Sequence, residues 1–140
     1  MKKIKIKSPA TVANLSCGYD ILGLCLEEPF DYIEIEKINS SEVKIDILPS
    51  CFSNIPSKPE LNTGGVPAIK IIKDLKLDFG FKIKINKGIP LCGGLGSSAA
   101  TAAGVVYGIN KILNEVLSFD QMIQYALEGE RLSSDTPHAD

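Results

Sequence analysis

The chain has no tryptophan and a single histidine, His138, and no two of its four cysteines form a Cys-x-x-Cys pair. A zinc site wants four converging nitrogen or sulfur ligands. Cys17, Cys25, Cys51, Cys92 and one imidazole, scattered as they are, do not supply it. An even cysteine count without a signal peptide is poor ground for disulfides, so a reduced, cytoplasmic protein is expected. No apolar stretch approaches the roughly 18 residues of a membrane-spanning helix. Charge of one sign is lacking too: 15 basic residues against 17 acidic leave −2. That excludes the electrostatic footprint of a nucleic-acid or anionic-membrane binder. Internal repeats, low-complexity tracts and linkers are missing, and 140 residues at 44% hydrophobic content suffice for one real core.

What is present is a change of pattern along the chain. Residues 2–7 alternate Lys and Ile, a half-buried strand. Residues 30–38 and 42–48 alternate likewise, and read as an antiparallel pair joined by a turn at Asn39-Ser40-Ser41. Residues 49–59, with three prolines and three serines, read as a surface loop, and 79–85 as a further strand. Helical spacing follows over 62–77, 98–116 and 119–132. The second of these starts with Ala and Gly almost throughout, which permits close approach of other backbone. The third opens on a capping box, Ser118-x-x-Gln121, with a Leu117–Met122 staple. Strands early and helices late predict an α+β fold, a two-layer sandwich of a mixed or antiparallel sheet and helices. The chain stops at His138-Ala139-Asp140 without a closing element, which reads as a cut.

Between the last strand and the Ala-rich helix stands Pro90-Leu91-Cys92-Gly93-Gly94-Leu95-Gly96-Ser97-Ser98-Ala99-Ala100. Glycines let the main chain approach an anion, and the positive end of a helix favours negative charge. Ser97 and Ser98 add hydroxyls. The run reads as a phosphate cradle, or else as a tight strand–helix turn with one serine capping the helix. A Walker P-loop is excluded, because Ser97 stands where that motif needs Lys. Gly94-x-Gly96-x-x-Ala99 satisfies a loose dinucleotide fingerprint, but no second strand ending in an acid follows about 20 residues later.

These residues resemble the phosphate-binding motif of the GHMP kinases, which phosphorylate small alcohols such as galactose, homoserine and mevalonate. Two further stretches resemble the homoserine kinases within that family. One is Ser8-Pro9-Ala10-Thr11-Val12-Ala13-Asn14-Leu15-Ser16-Cys17-Gly18-Tyr19-Asp20-Ile21-Leu22-Gly23. The other is Glu128-Gly129-Glu130 followed by His138-Ala139-Asp140. The resemblance implies the family's ribosomal-protein-like β-α-β fold, with residues 1–140 as the N-terminal, ATP-binding domain and the C-terminal domain absent. It implies ATP-dependent phosphorylation of the L-homoserine hydroxyl, a step toward threonine. Another GHMP kinase, or a non-catalytic nucleotide-binding module, is the alternative. The implied partners are a small-molecule substrate, ATP and Mg2+, with no nucleic acid and no membrane; a homodimer is left open.

The resemblance also assigns roles. Pro90 to Ala100 would hold the ATP phosphates, and Ser98 and Glu130 the magnesium. Glu130 alone would read as a solvated charge on the third helix. Asn14, Asp20 and His138 would face the acceptor; without the family, Asn14 and Asp20 read as turn residues around Gly18, and His138 as an incidental surface group. Asn62 would contact the nucleotide or cap the helix over 62–77, and Lys87 would lie near the nucleotide or be a solvated strand end. No residue reads as a certain general base. Ser16-Cys17 and Cys92-Gly93 depart from the family pattern, and Cys92 reads as a small packed residue and not a reactive thiol.

Overall fold

Alternation of Ile with Lys or Glu builds one sheet with an apolar and a charged face. In a computed structural model of the chain, residues 1–15, 18–50, 52 and 54–132 are described, the side chains of residues 14, 19 and 20 excepted. Four strands are found among them: β1 (Lys3–Leu15), β2 (Gly18–Ile38), β3 (Val43–Ile47) and β4 (Gly80–Asn86). Three helices cover one face: α1 (Gly65–Asp74), α2 (Ser97–Ile112) and α3 (Phe119–Glu130). The two-layer α+β sandwich expected from the sequence is present, and its sheet is mixed. No helix among the described residues is long and apolar enough to cross a membrane.

The expected pairing of residues 30–38 with 42–48 is wrong. The sheet order is β1-β2-β4-β3, so β4 lies between β2 and β3, antiparallel to the first and parallel to the second. The register of β2 on β4 sets Glu34 opposite Lys84 and Glu36 opposite Lys82, a match of opposite charges on the outer face. β3 takes the other side of β4, with Asp46 opposite Lys84 and Lys44 opposite Lys82. Lys84 meets Glu34 at 3.5 Å and Lys82 meets Asp46 at 3.1 Å, while Lys3 of β1 reaches Glu34 at 2.9 Å. The turn after β2 arches past the start of β4, where the Phe81 N–H donates to the Glu42 carbonyl at 3.0 Å.

Strands β1 and β2 are also longer than their alternation suggested. Residues 8–15 and 18–29 continue the hairpin, with irregular register between Pro9 and Thr11 and between Ala13 and Leu15. The inner face carries Ile33, Ile35, Phe81, Ile83 and Ile85, all fully buried against Val105 and Ile109 of α2 and Ile71 of α1. Gly104 and Gly108 let α2 lie close on the sheet, for a Cβ there would sit 2.6 Å from Ile33 and Ile35 respectively. The Ser8 hydroxyl of β1 adds a bond to the Ala100 carbonyl at 2.6 Å. This contact seats the N-terminal end of α2 against the hairpin.

Helix α3 starts as expected. Ser118 Oγ accepts from the Gln121 N–H, Gln121 Oε1 accepts from the Ser118 N–H, and Leu117 and Met122 join the same core. The expected helix over 62–77 is shorter. A single 3-10 turn, Pro59–Leu61, precedes it, and α1 begins only at Gly65.

Candidate functional site

A cavity of about 420 Å³ opens at the N-terminal end of α2. Leu91, Cys92, Gly93, Gly94, Leu95 and Gly96 form one wall with Ser97, Ser98 and Thr101; Asn54, Ile55, Pro56, Leu61 and Asn62 form the other. The size is that of a small-ligand pocket. Of the expected phosphate-binding run, Pro90, Ala99 and Ala100 do not line it; Ala100 is buried with Ala10 and Ile89.

The alternative of a serine cap does not hold. The N-cap of α2 is Gly96 at φ 59°, and no side chain caps the helix. A Cβ at Gly96 would lie 2.2 Å from Thr11 Oγ1, so both the backbone angle and the space require glycine. Helices leave their first N–H groups without intrahelical partners, and the two serines that could have satisfied them turn elsewhere. Ser97 Oγ donates to the Ile89 carbonyl at 3.2 Å. Ser98 Oγ donates to Glu130 Oε2 at 3.0 Å.

Glu130 is 5% exposed, which excludes its reading as a solvated charge. Gly129 allows its position: a Cβ there would lie 2.1 Å from the Thr63 carbonyl, so only glycine lets the end of α3 dock on that turn. Ser98 and Glu130, paired by expectation, are thus brought together. Ser98 lines the cavity and Glu130 stands behind it; a hydroxyl and a carboxylate are oxygen ligands of the kind magnesium takes, with phosphate oxygens and waters completing its shell. Among the described residues no cluster of three or more His, Cys, Asp or Glu offers a metal a protein-only cage.

Lys87 is not a solvated strand end. It is 5% exposed and ion-paired with Asp31, which is fully buried. Its ammonium also donates to the Ser97 carbonyl at 2.8 Å and to Thr101 Oγ1 at 3.0 Å. Three acceptors match its three donors. Burial pushes this ammonium below the usual lysine range, and Asp31, then Glu130, pull it partway back.

Asn62 is buried, and its amide is used locally: Nδ2 donates to the Pro56 carbonyl at 2.7 Å, and Oδ1 accepts the Gly64 N–H at 2.9 Å. It braces the far wall of the cavity and does not cap α1, whose N-cap is Gly64. Cys92 is a free, exposed thiol at φ 57°, so the expectation of a packed residue is wrong. The side chains of Asn14 and Asp20, and all of His138, lie outside the described residues.

Sequence reasoning missed Asp31 and Thr101. A signal for Asp31 existed. It shares strand parity with Ile33 and Ile35, so a carboxylate stood on the face that must be buried. Thr101 gave no such sign within an Ala-rich helix.

The chain has relatives among known proteins. The homoserine kinase of Methanococcus vannielii is 44% identical over all 140 residues, which correspond to 46% of that protein. The homoserine kinase of Xylella fastidiosa is 35% identical over 95% of this chain and 41% of its own length. The chain thus spans about half the length of the curated relatives it matches. A crystal structure of homoserine kinase from Cytophaga hutchinsonii superposes with a TM-score of 0.91 at 34% identity, covering 99% of this chain and 44% of that one. The mevalonate kinase of Methanococcus jannaschii shares the fold, with a TM-score of 0.71 at 20% identity over 96% of this chain and 48% of that one. Residues 65–140, which hold the glycine-rich run and α3, match the model of the GHMP kinases N terminal domain, and the chain belongs to that family.

Proposed function

We propose that this chain is the ATP-binding part of a cytoplasmic homoserine kinase, which transfers the γ-phosphoryl of ATP to the side-chain hydroxyl of L-homoserine and yields O-phospho-L-homoserine for threonine synthesis. The observation that carries the reading is the Ser98–Glu130 pair at 3.0 Å beside an uncapped helix start and a glycine-rich wall. Phosphoryl transfer asks a protein mainly for positioning and charge stabilisation. Main-chain N–H groups at the start of α2 bind the phosphates, helped by the helix dipole. The wall of Ile55, Pro56, Leu61 and Asn62 receives the base.

Ser98 and Glu130 would hold a magnesium ion, which when bound neutralises phosphate charge. Lys87, its donors engaged, bears on the nucleotide through its charge and its apolar stem. Asp20 pairs with the ammonium of the amino acid, and Asn14 and His138 bond its polar groups. The hydroxyl proton passes to a phosphate oxygen or to water, since no residue is assigned as a base. The rest of the acceptor site comes from a second domain, so the 140 residues alone turn over little or no homoserine.

The test is a substrate panel with the full-length protein and magnesium-ATP. ADP release with homoserine, and not with mevalonate or galactose, supports the reading. Preferred turnover of either other alcohol sinks it and keeps the family.

A further inference from the structure

Asp31 lies on β2 with no exposed surface, yet it is engaged on both oxygens. Oδ1 accepts the N–H of Gly88 at 2.9 Å and of Ile89 at 3.1 Å. Oδ2 takes the Lys87 ammonium and lies 3.3 Å from Thr101 Oγ1. The same ammonium reaches the Ser97 carbonyl, as described above. Gly88 and Ile89 are where the chain enters the glycine-rich segment, and Ser97 is where it leaves. Ser97 Oγ closes the ring by donating to the Ile89 carbonyl. The whole segment is therefore a loop tied at its neck, and Asp31 is the knot. Two residues before Ser97, the Leu95 carbonyl accepts the Thr11 N–H at 3.1 Å, a second tie to the hairpin.

Such a pair is a poor choice for stability alone, because apolar residues of the same volume often serve as well or better. Its place at the loop neck gives it another use. We propose that Asp31 is a positioning residue for nucleotide binding, acting through Lys87 and the Gly88 and Ile89 N–H groups to hold the phosphate-facing loop in one shape before the anion arrives. The role rests on the kinase reading above. A loop ordered in advance loses less conformational freedom on binding, and the gain falls on ATP alone. The acceptor, bound by other residues, does not share it.

The experiment is steady-state kinetics of the full-length protein with magnesium-ATP and homoserine. Asp31→Asn keeps the shape and one acceptor oxygen but turns an amide donor toward Lys87. The KM for ATP is expected to rise about tenfold to a hundredfold, the scale of a misplaced binding group. The KM for homoserine stays within about twofold in the same measurement. Ile109→Val, on the buried face of α2 three turns from its start, supplies a loss of stability without a change at the neck; it lowers Tm and leaves the KM for ATP unchanged. Lys87→Met added to Asp31→Asn raises that KM no further than the larger single effect, since both cut one knot.

A folded Asp31→Asn protein with unaltered KM for ATP, or effects of the two substitutions that multiply, overturns the role. Should Asp31→Asn fail to fold, Thr101→Val loosens the same knot, with an expected rise of about threefold; no rise overturns the role. An unsubstituted protein that binds no magnesium-ATP overturns the kinase reading itself, and the role with it. Normal turnover beside an unaffected Asp31→Asn protein overturns the role alone.

Discussion

Two helices of this molecule begin in opposite ways. The first turn of α3 is closed by its own side chains, Ser118 and Gln121 satisfying each other's backbone. The first turn of α2 has serines at hand and uses neither as a cap. Ser97 ties the loop neck and Ser98 reaches Glu130. A capped start serves only the helix. An uncapped start, beneath a glycine-rich wall and beside a buried carboxylate, leaves its donors open, as the start of α1 does at Gly64 without such surroundings. On the kinase reading proposed above, the contrast separates a terminus closed for folding from one kept open for a ligand.

Four substitutions probe that contrast. Glu130→Gln, which keeps an acceptor for Ser98 and removes the charge, is expected to lower kcat of the full-length protein by about a hundredfold or more, with the circular dichroism spectrum unchanged. Near-normal kcat would mean that the buried carboxylate only supports the loop. Gly96→Ala forces a Cβ against Thr11 at a left-handed backbone angle. It should raise the KM for ATP at least about tenfold and cost about 1–3 kcal/mol in a urea titration.

Ser118→Ala breaks the capping box and should cost about 1 kcal/mol, read in the same titration, with the KM for ATP unmoved. A change in ATP binding there would erase the distinction between the two helix starts. Cys92→Gly is the mildest. It relieves a left-handed non-glycine residue and should stabilise by about 0.5–1 kcal/mol, with little change in kcat.

Much of this was legible in the sequence, for identifiable reasons. The starts of α2 and α3 were readable because capping and glycine clusters are local chemistry; that of α1, at Gly65 and not at 62, was not. Ser98 and Glu130 could be paired only through a resemblance, since 32 residues separate them and nothing local joins them. The strand order was not legible from alternation, which says that residues 30–38 and 42–48 are strands but not which strand each one meets. What alternation omits is the match across strands: β4 sets Lys84 opposite Glu34 and Lys82 opposite Glu36 of β2, residues about 50 apart in the chain. Asp31 showed itself only as an acid out of place on an apolar face. Its partners come from the segment just after β4 and from α2, which no local reading assembles.

The edge strand β1 has its own consequence. Lys3, Lys5 and Lys7 point outward along its first half, with Lys5 over the Tyr32 ring and Lys7 over that of Phe30. A second molecule laying the same edge alongside in antiparallel fashion would bring ammonium groups against ammonium groups. Growth of one sheet into another through this border is thereby disfavoured, most strongly in dilute salt. Neutralising those lysines should make contact along this border easier, while the other edge, β3, is untouched by them.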